Sequence, residues 1–254
     1  MNESLGLQLS LMGRFFMAGH NKWSQIKHKK AKTDAQRGKA FTKVIKEISV
    51  AVKLGGEDIA TNASLRLAIQ KAKSVNMPQT NITRAIAKAS GSDSMALLHE
   101  WFFEAYGPGG VAILIKVLTD NKNRTVPNLK VILSKNGGRL VEKGSVSYLF
   151  AKKGLFVFEP GVVEEDVINI AIEAGAEDVL AREDGSVEVV TEVSFFDLVK
   201  KAFDAADMAY IFATLTMLPQ KSFAISEDDQ AKVLKLLDCL DDDDDVQDIY
   251  CNMA

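Results

Sequence analysis

Apolar residues between positions 41 and 89 recur at helical spacing. Phe41, Val44, Ile45, Ile48 and Val52 lie on one stripe, predicting a helix over 38–56 that the Gly55-Gly56 pair stops. Lys39, Lys43, Lys46 and Lys53 fall off that stripe. A second helix is predicted over 62–75, with Asn62 as N-cap, Leu65, Ala68, Ile69 and Ala72 inward, and Arg66, Lys71 and Lys73 outward. Pro78 suits the first turn of a third, whose inner face is Ile82, Ile86 and Ala89 and whose outer face carries Arg84 and Lys88. Near Ser92 the pattern turns to β. Runs at 98–106 and 111–118 flank Gly107-Pro108-Gly109-Gly110, which reads as a hairpin turn. A phosphate loop would need a following Lys-Ser/Thr and a helix, and has neither. A polar loop at 120–125 leads into a helix over 127–135. From 154 the order is strand, helix (164–173), two strands (178–182, 186–191), helix (195–205), strand (210–217), the βαββαβ order of a ferredoxin-like sandwich. A helix over 227–240, the run Asp241–Asp245 and a strand over 246–250 close the chain. Phe102, Phe103, Phe156 and Phe158 are expected in the core.

The fold class this implies is α+β, in three domains. Residues 17–92 form a helical domain and 148–219 a ferredoxin-like α/β domain. A hairpin plus one helix is short of strands, so the C-terminal helix and strand are expected to return, making 93–147 with 220–254 a discontinuous α/β domain. Residues 1–16 are read as a dispensable extension, with Met12 and Met17 as possible internal starts.

Composition adds little until it is divided. At 47% hydrophobic and 26% charged the chain is an ordinary globular one, and its net charge of −3 argues against a polyanionic partner. Yet residues 17–90 carry 15 Lys/Arg against 4 acids, and residues 91–254 carry 15 against 29. Local potential, not the total, selects a partner. The positive charge is densest where Lys22, Lys27, Lys29, Lys30, Lys32, Arg37 and Lys39 surround the single acid Asp34. Trp23 and His28 are interleaved with it and suited to stacking on a base or ribose. Such a segment is costly to bury and favourable against phosphate. It continues onto the outer helix faces through Lys43, Arg66, Lys71, Arg84 and Lys88, so a nucleic-acid-binding surface is expected there. Arg124, in the polar loop with Asn121 and Asn123, is a further candidate, with helix capping as the plainer reading of that loop.

Other chemistries find little support. His20, His28 and His99 are the only histidines and lack ligand spacing for zinc, and no Gly-x-Ser-x-Gly elbow accompanies Ser24, His28 and Asp34. No catalytic residue, metal, cofactor or small-molecule substrate is expected, and the chain is read as not an enzyme. The Asp241–Asp245 run has no EF-hand alternation and reads as a solvated loop; the alternative is an electrostatic decoy that folds against the basic arm when nucleic acid is absent. Cys239 and Cys251, with no CxxC, fit a reducing compartment, and no apolar run reaches the ~20 residues of a membrane span. A cytoplasmic protein with no membrane partner is expected.

Several motifs, in order, resemble one family. They are Met17-Ala-Gly-His-Asn-Lys-Trp-Ser-x-Ile-Lys-His-Lys-Lys, Lys53-Leu-Gly-Gly, Tyr106-Gly-Pro-Gly-Gly, Asp120-Asn-Lys-Asn-Arg-Thr, Gly144-Ser-Val-x-Tyr-Leu-Phe and Ala174-Gly-Ala-Glu-Asp. Together they resemble the YebC/PmpR family from Met17 to about Tyr250. The resemblance implies a helical domain and two ferredoxin-like α/β domains around a central cleft, and a non-enzymatic role. That role is either a DNA-binding transcriptional regulator or a translational activator working on ribosomal or transfer RNA at the ribosome. Both need a cationic surface. The exposed cations are mostly Lys, which supplies backbone affinity rather than base readout.

Overall fold

The computed structural model describes residues 34–91 and 98–254, with side chains described from residue 38 onward. The described chain divides into two compact units: residues up to Val146 together with Ser226–Ile249, and Ser147–Ile225 together with Tyr250–Ala254.

The first unit begins with helices α1 (Asp34–Gly55), α2 (Ala63–Ser74) and α3 (Gln79–Ser90). Their inner stripes meet in one cluster containing Val44, Ile48, Val52, Leu65, Ala68, Ile69, Ala72, Ile82, Ala85 and Ala89, with Phe41, Ile45 and Ile86 packed at its margin. Asn62 ties two helices together. Its Oδ1 accepts from the Leu65 N–H at 3.0 Å, capping α2, while its Nδ2 donates to the carbonyls of Ala51 (2.8 Å) and Gly56 (2.7 Å) at the end of α1. A buried amide is thereby satisfied on both sides.

The same unit holds β1 (His99–Tyr106), a 3₁₀ turn at Pro108–Gly110, β2 (Ala112–Thr119), α4 (Lys122–Lys135) and β3 (Arg139–Val141). β1 and β2 form an antiparallel hairpin in register from His99↔Thr119 to Tyr106↔Ala112, closed by Gly109 and Gly110 at positive φ. α4 starts five residues before the predicted 127. Asn121 is the reason: its side chain accepts from the Arg124 N–H at 3.1 Å and its carbonyl from the Thr125 N–H at 3.2 Å, so the polar loop is the helix's first turn. Pro127 lies close enough to that end for the helix to pass through it. β3, three residues long, carries too short a pattern to be read from sequence. Among the described residues it pairs only with Glu104–Tyr106 of β1. Over 99–103, β1 therefore has a strand on one side only among the described residues. This corrects the expectation for Phe102, which is 45% exposed, and Phe103 is only half-buried. Glu104, by contrast, is buried and accepts from the backbone N–H groups of Gly144 (2.7 Å) and Val146 (2.6 Å), which gives the Gly144-Ser-Val turn its shape.

The second unit is β4 (Phe150–Phe158), α5 (Glu164–Glu173), β5 (Asp178–Ala181), β6 (Val187–Thr191), α6 (Phe196–Ala205) and β7 (Phe212–Pro219), an antiparallel sheet of order β5-β6-β4-β7. Phe156 and Phe158 are fully buried, as expected, and stack or meet edge-on with Phe196 and Phe203 of α6. Helix and sheet approach closely at Gly154, where a Cβ would lie 2.3 Å from Thr191 Oγ1 and 2.6 Å from Phe196. Only glycine fits that crossing.

The chain then supplies α7 (Glu227–Asp241) and β8 (Val246–Cys251). β8 lies beside β2, completing a sheet of order β3-β1-β2-β8, and α7 packs on α4. The fold is α+β: a helical N-terminal region and two four-stranded sheets with helices. Among the described residues no helix is long and apolar enough to cross a membrane.

Candidate nucleic-acid interface

Lys22, Trp23, Lys27, His28, Lys29, Lys30 and Lys32, and the side chain of Arg37, lie outside what the structure describes. The remaining candidates divide into cations held by the protein and cations open to solvent.

Lys39 and Lys43 are held. With Lys46 they stand at i, i+4 and i+7 on α1, one row beside the buried stripe. The C-terminal end of α7 and the turn after it run along this row. Lys39 Nζ binds Asp242 Oδ1 at 3.1 Å and its carbonyl at 3.2 Å; Lys43 Nζ binds Asp241 Oδ1 at 3.0 Å and its carbonyl at 2.5 Å. Lys46 Nζ reaches Asp245 Oδ1 at 3.0 Å and the Asp244 carbonyl at 2.7 Å. The last turn of α7 carries no base of its own. The lysines of α1 therefore complement both its free carbonyls and its negative dipole end from across the fold.

Arg124 is held as well, by Asp120 at 2.9 Å and Asp245 at 3.4 Å. Asp245 is the hub of this corner. Besides Lys46 and Arg124, its Oδ2 accepts from Thr125 Oγ1 at 2.8 Å and Thr119 Oγ1 at 3.2 Å, and its carbonyl accepts from Leu118 N at 2.9 Å. The Asp120-Asn-Lys-Asn-Arg-Thr segment thus builds a helix start and a carboxylate seat. Lys71 bridges Glu47 (2.5 Å) and Asp248 of β8 (3.5 Å). Burial opposes its charge, but the two carboxylates outweigh that and push its ammonium above the ordinary lysine value. Arg66 donates to the carbonyls of Ile59 (2.8 Å) and Ala60 (2.7 Å), closing the loop between α1 and α2.

Arg84 and Lys88 differ. They stand four apart on the exposed side of α3, with no partner among the described residues, and Lys73 on α2 is likewise exposed and unpartnered. The structure therefore brings Lys39, Lys43, Lys71 and Arg124 to acidic partners and leaves Arg84, Lys88 and Lys73 available to phosphate. The sequence places Lys46 and Lys73 on outer helix faces without marking them as binding candidates, and gives no sign of Glu47, Asp248 or the seat of Asp245. The Asp run itself was visible. Its partners lie about 200 residues away, and no local signal names them.

Two other features bear on chemistry. An open depression of about 410 Å³ is lined by Tyr106, Gly107, Gly110, Gly137, Gly138 and Arg139. Two of its glycines are explained by packing, since a Cβ on Gly107 would lie 2.9 Å from Ile113 and one on Gly138 3.0 Å from the Tyr106 carbonyl, and Gly110 and Gly137 by their positive φ. Among the described residues no group of three or more His, Cys, Asp or Glu side chains is placed to hold a metal.

Comparison with known proteins accounts for almost all of the chain. Residues 21–92 match the family described as the TACO1/YebC protein N-terminal domain, and residues 98–253 the TACO1/YebC second and third domain. A relative from Anoxybacillus flavithermus, named "Probable transcriptional regulatory protein", is 51% identical over 93% of this chain and 98% of its own length. Relatives of the same name from Trichlorobacter lovleyi and Coxiella burnetii are 49% and 47% identical, each over 93% of this chain, covering 95% and 97% of their own lengths. The crystal structure of the conserved hypothetical protein Aq1575 from Aquifex aeolicus superposes with a TM-score of 0.81 at 42% identity, covering 92% of this chain and 96% of that one.

Proposed function

Since the chain belongs to the TACO1/YebC family, we propose that it is a non-enzymatic regulator that acts by binding nucleic acid, as a DNA-binding transcriptional regulator. The relatives' names support regulation. The observation that carries nucleic-acid binding is the open pair Arg84 and Lys88, joined by Lys73, on a helical domain preceded by the lysine-rich segment 22–39. In this reading residues 17–92 are the binding domain. Residues 93–147 with 220–254 and residues 148–219 are domains that hold and present it in the cytoplasm.

A second reading uses the same surface on ribosomal RNA, as a translational activator. It is favoured by the predominance of lysine among the cations, because lysine grips phosphate without reading base edges. The two readings part on specificity. Binding to duplex DNA of varied sequence and to ribosomes is measured across a salt series. A preference of ~1,000-fold or more for one duplex site supports the regulator. Steep salt dependence with no site preference, alongside stable ribosome association, supports the translation factor. In either case, alanine at Lys27, Lys29, Lys30 and Lys32 is expected to weaken binding across all sequences and to flatten the log–log salt slope by roughly 0.7–0.9 per lost contact. Arg84→Ala with Lys88→Ala is expected to remove about two contacts' worth. Unchanged slopes in both variants would overturn the basic domain as the binding surface.

A further inference from the structure

We propose that the Asp241–Asp245 run is a built-in competitor for this binding surface: it occupies the lysine row of α1 in the absence of nucleic acid, and phosphates must displace it. The inference rests on the nucleic-acid reading above and concerns its regulation.

Three observations carry it. First, the match is a row against a run. Lys39, Lys43 and Lys46 place three ammonium groups along about 10 Å of helix. Each takes a carboxylate and a main-chain carbonyl from residues 241–245, much as a row of lysines takes successive phosphates on a strand. Second, the contact is graded. The Lys46–Asp245 end is buried and braced by Thr119, Thr125 and Arg124, the Lys43–Asp241 pair is nearly as enclosed, and the Lys39–Asp242 pair is about half exposed on both sides. An exposed ion pair is weak and exchangeable, and a buried, hydrogen-bonded one is not. Displacement therefore starts at Lys39, where α1 leads back toward the lysine-rich segment, and Asp245 remains as the hinge. Third, the run carries more charge than the clamp uses. The Asp244 carboxylate, beside Lys46, is exposed with no partner among the described residues, so a polyanion approaching the lysine row meets repulsion from the run.

The competitor has a signature that a plain structural tether lacks. A lysine that leaves an aspartate to meet a phosphate gives a smaller net release of cations, because the freed carboxylate takes up part of what the nucleic acid sheds. Wild-type binding is therefore shallower in salt than its count of cations implies.

The test uses the full chain and two fluorescent probes of arbitrary sequence, a 20-nucleotide single-stranded RNA and a 20-base-pair DNA duplex, with anisotropy read across a salt series. D241N/D242N is expected to tighten binding of both probes by about three- to tenfold at low salt, and to steepen the slope by at most about 1.4 on the RNA and about 1.8 on the duplex, the full contribution of two lysines. K39Q/K43Q removes clamp and contacts together, and is expected to bind more weakly than D241N/D242N. Asp242→Asn alone, at the solvent-facing pair, serves if the double variant melts early; a smaller tightening in the same direction is expected. If the Asn variants bind with wild-type affinity and slope, the competitor is overturned and nucleic-acid binding stands. If K39Q/K43Q binds as tightly as D241N/D242N, the phosphate surface lies elsewhere and the proposal falls. If neither wild type nor the Asn variants bind either probe at low salt, the nucleic-acid reading falls and the competitor with it.

Discussion

Phe156→Ala is expected to destabilise the second unit by about 3–5 kcal/mol, the range for removing a fully buried aromatic ring. Phe156 is completely buried at the centre of β4, and it meets three other rings. Phe196 stacks at 4.9 Å, and Phe203 and Tyr210 approach edge-on at 5.4 and 5.7 Å. Removing it forfeits the burial of the ring and leaves those partners facing a void. The site cannot collapse to fill the void, because the approach of α6 to the sheet is already as close as Gly154 allows. Chemical denaturation of the full chain, with hydrogen exchange resolving the segments, is the measurement. Loss of protection over β4–β7 with the hairpin β1–β2 unaffected is the expected pattern. A cost below about 1 kcal/mol would mean the aromatic cluster is not the core of that unit.

Asp245→Ala is expected to cost about 3 kcal/mol in the first unit, the lower end of the range for breaking a buried ion pair. The lower end applies because Arg124 is half exposed and regains water, while Lys46 stays mostly enclosed with its charge unanswered. Asp245→Asn separates charge from shape. An amide still accepts from Thr125 or Thr119 but no longer balances Lys46, so a smaller loss is expected. A pH dependence follows. Burial acts to raise the Asp245 carboxyl, yet hydrogen bonds from Thr125, Lys46 and Arg124 and the Lys46 charge outweigh it and hold the group below the ordinary carboxylate value. A carboxyl whose folded-state value is depressed contributes its stability in full above the unfolded value, near 3.9. It loses that contribution as the pH falls through the lower, folded value. The gap in denaturation midpoint between wild type and Asp245→Asn should therefore be constant from neutral pH down to about 4 and close below it. A gap that persists unchanged at pH 2 would show that the Asp245 charge is not what holds this corner.

Much of the helical unit was legible in the sequence because its information is local. The stripes of α1, α2 and α3, the Asn62 cap and the stop at Gly55-Gly56 each depend on residues within a few turns of one another. So did the βαββαβ order of the second unit, where strand length, glycine turns and helical stripes alternate cleanly. The misreadings share one cause. α4 begins earlier than predicted because a cap at Asn121 overrode the breaker at Pro127. Phe102 is exposed because the neighbour that would have covered it, β3, is only three residues long. Whether a β-strand residue is covered depends on which strand comes to lie beside it, and that is decided elsewhere in the chain.

The candidate site divides in the same way. Composition alone separates a basic first third from an acidic remainder, and spacing alone puts Lys39, Lys43 and Lys46 on one face and Arg84 and Lys88 on another. Those properties belong to the sequence, because charge and helical periodicity are one-dimensional. Which lysines are free and which are held is not. Charge carries no address: each lysine of α1 is as attractive to a phosphate as to any of the 34 acids in the chain. The choice of Asp241, Asp242 and Asp245 comes from α7 packing on α4 and β8 lying beside β2, which bring the acidic turn to α1 across about 200 residues. Tertiary structure alone decided that, because only the folded chain sets the distances on which an ion pair depends.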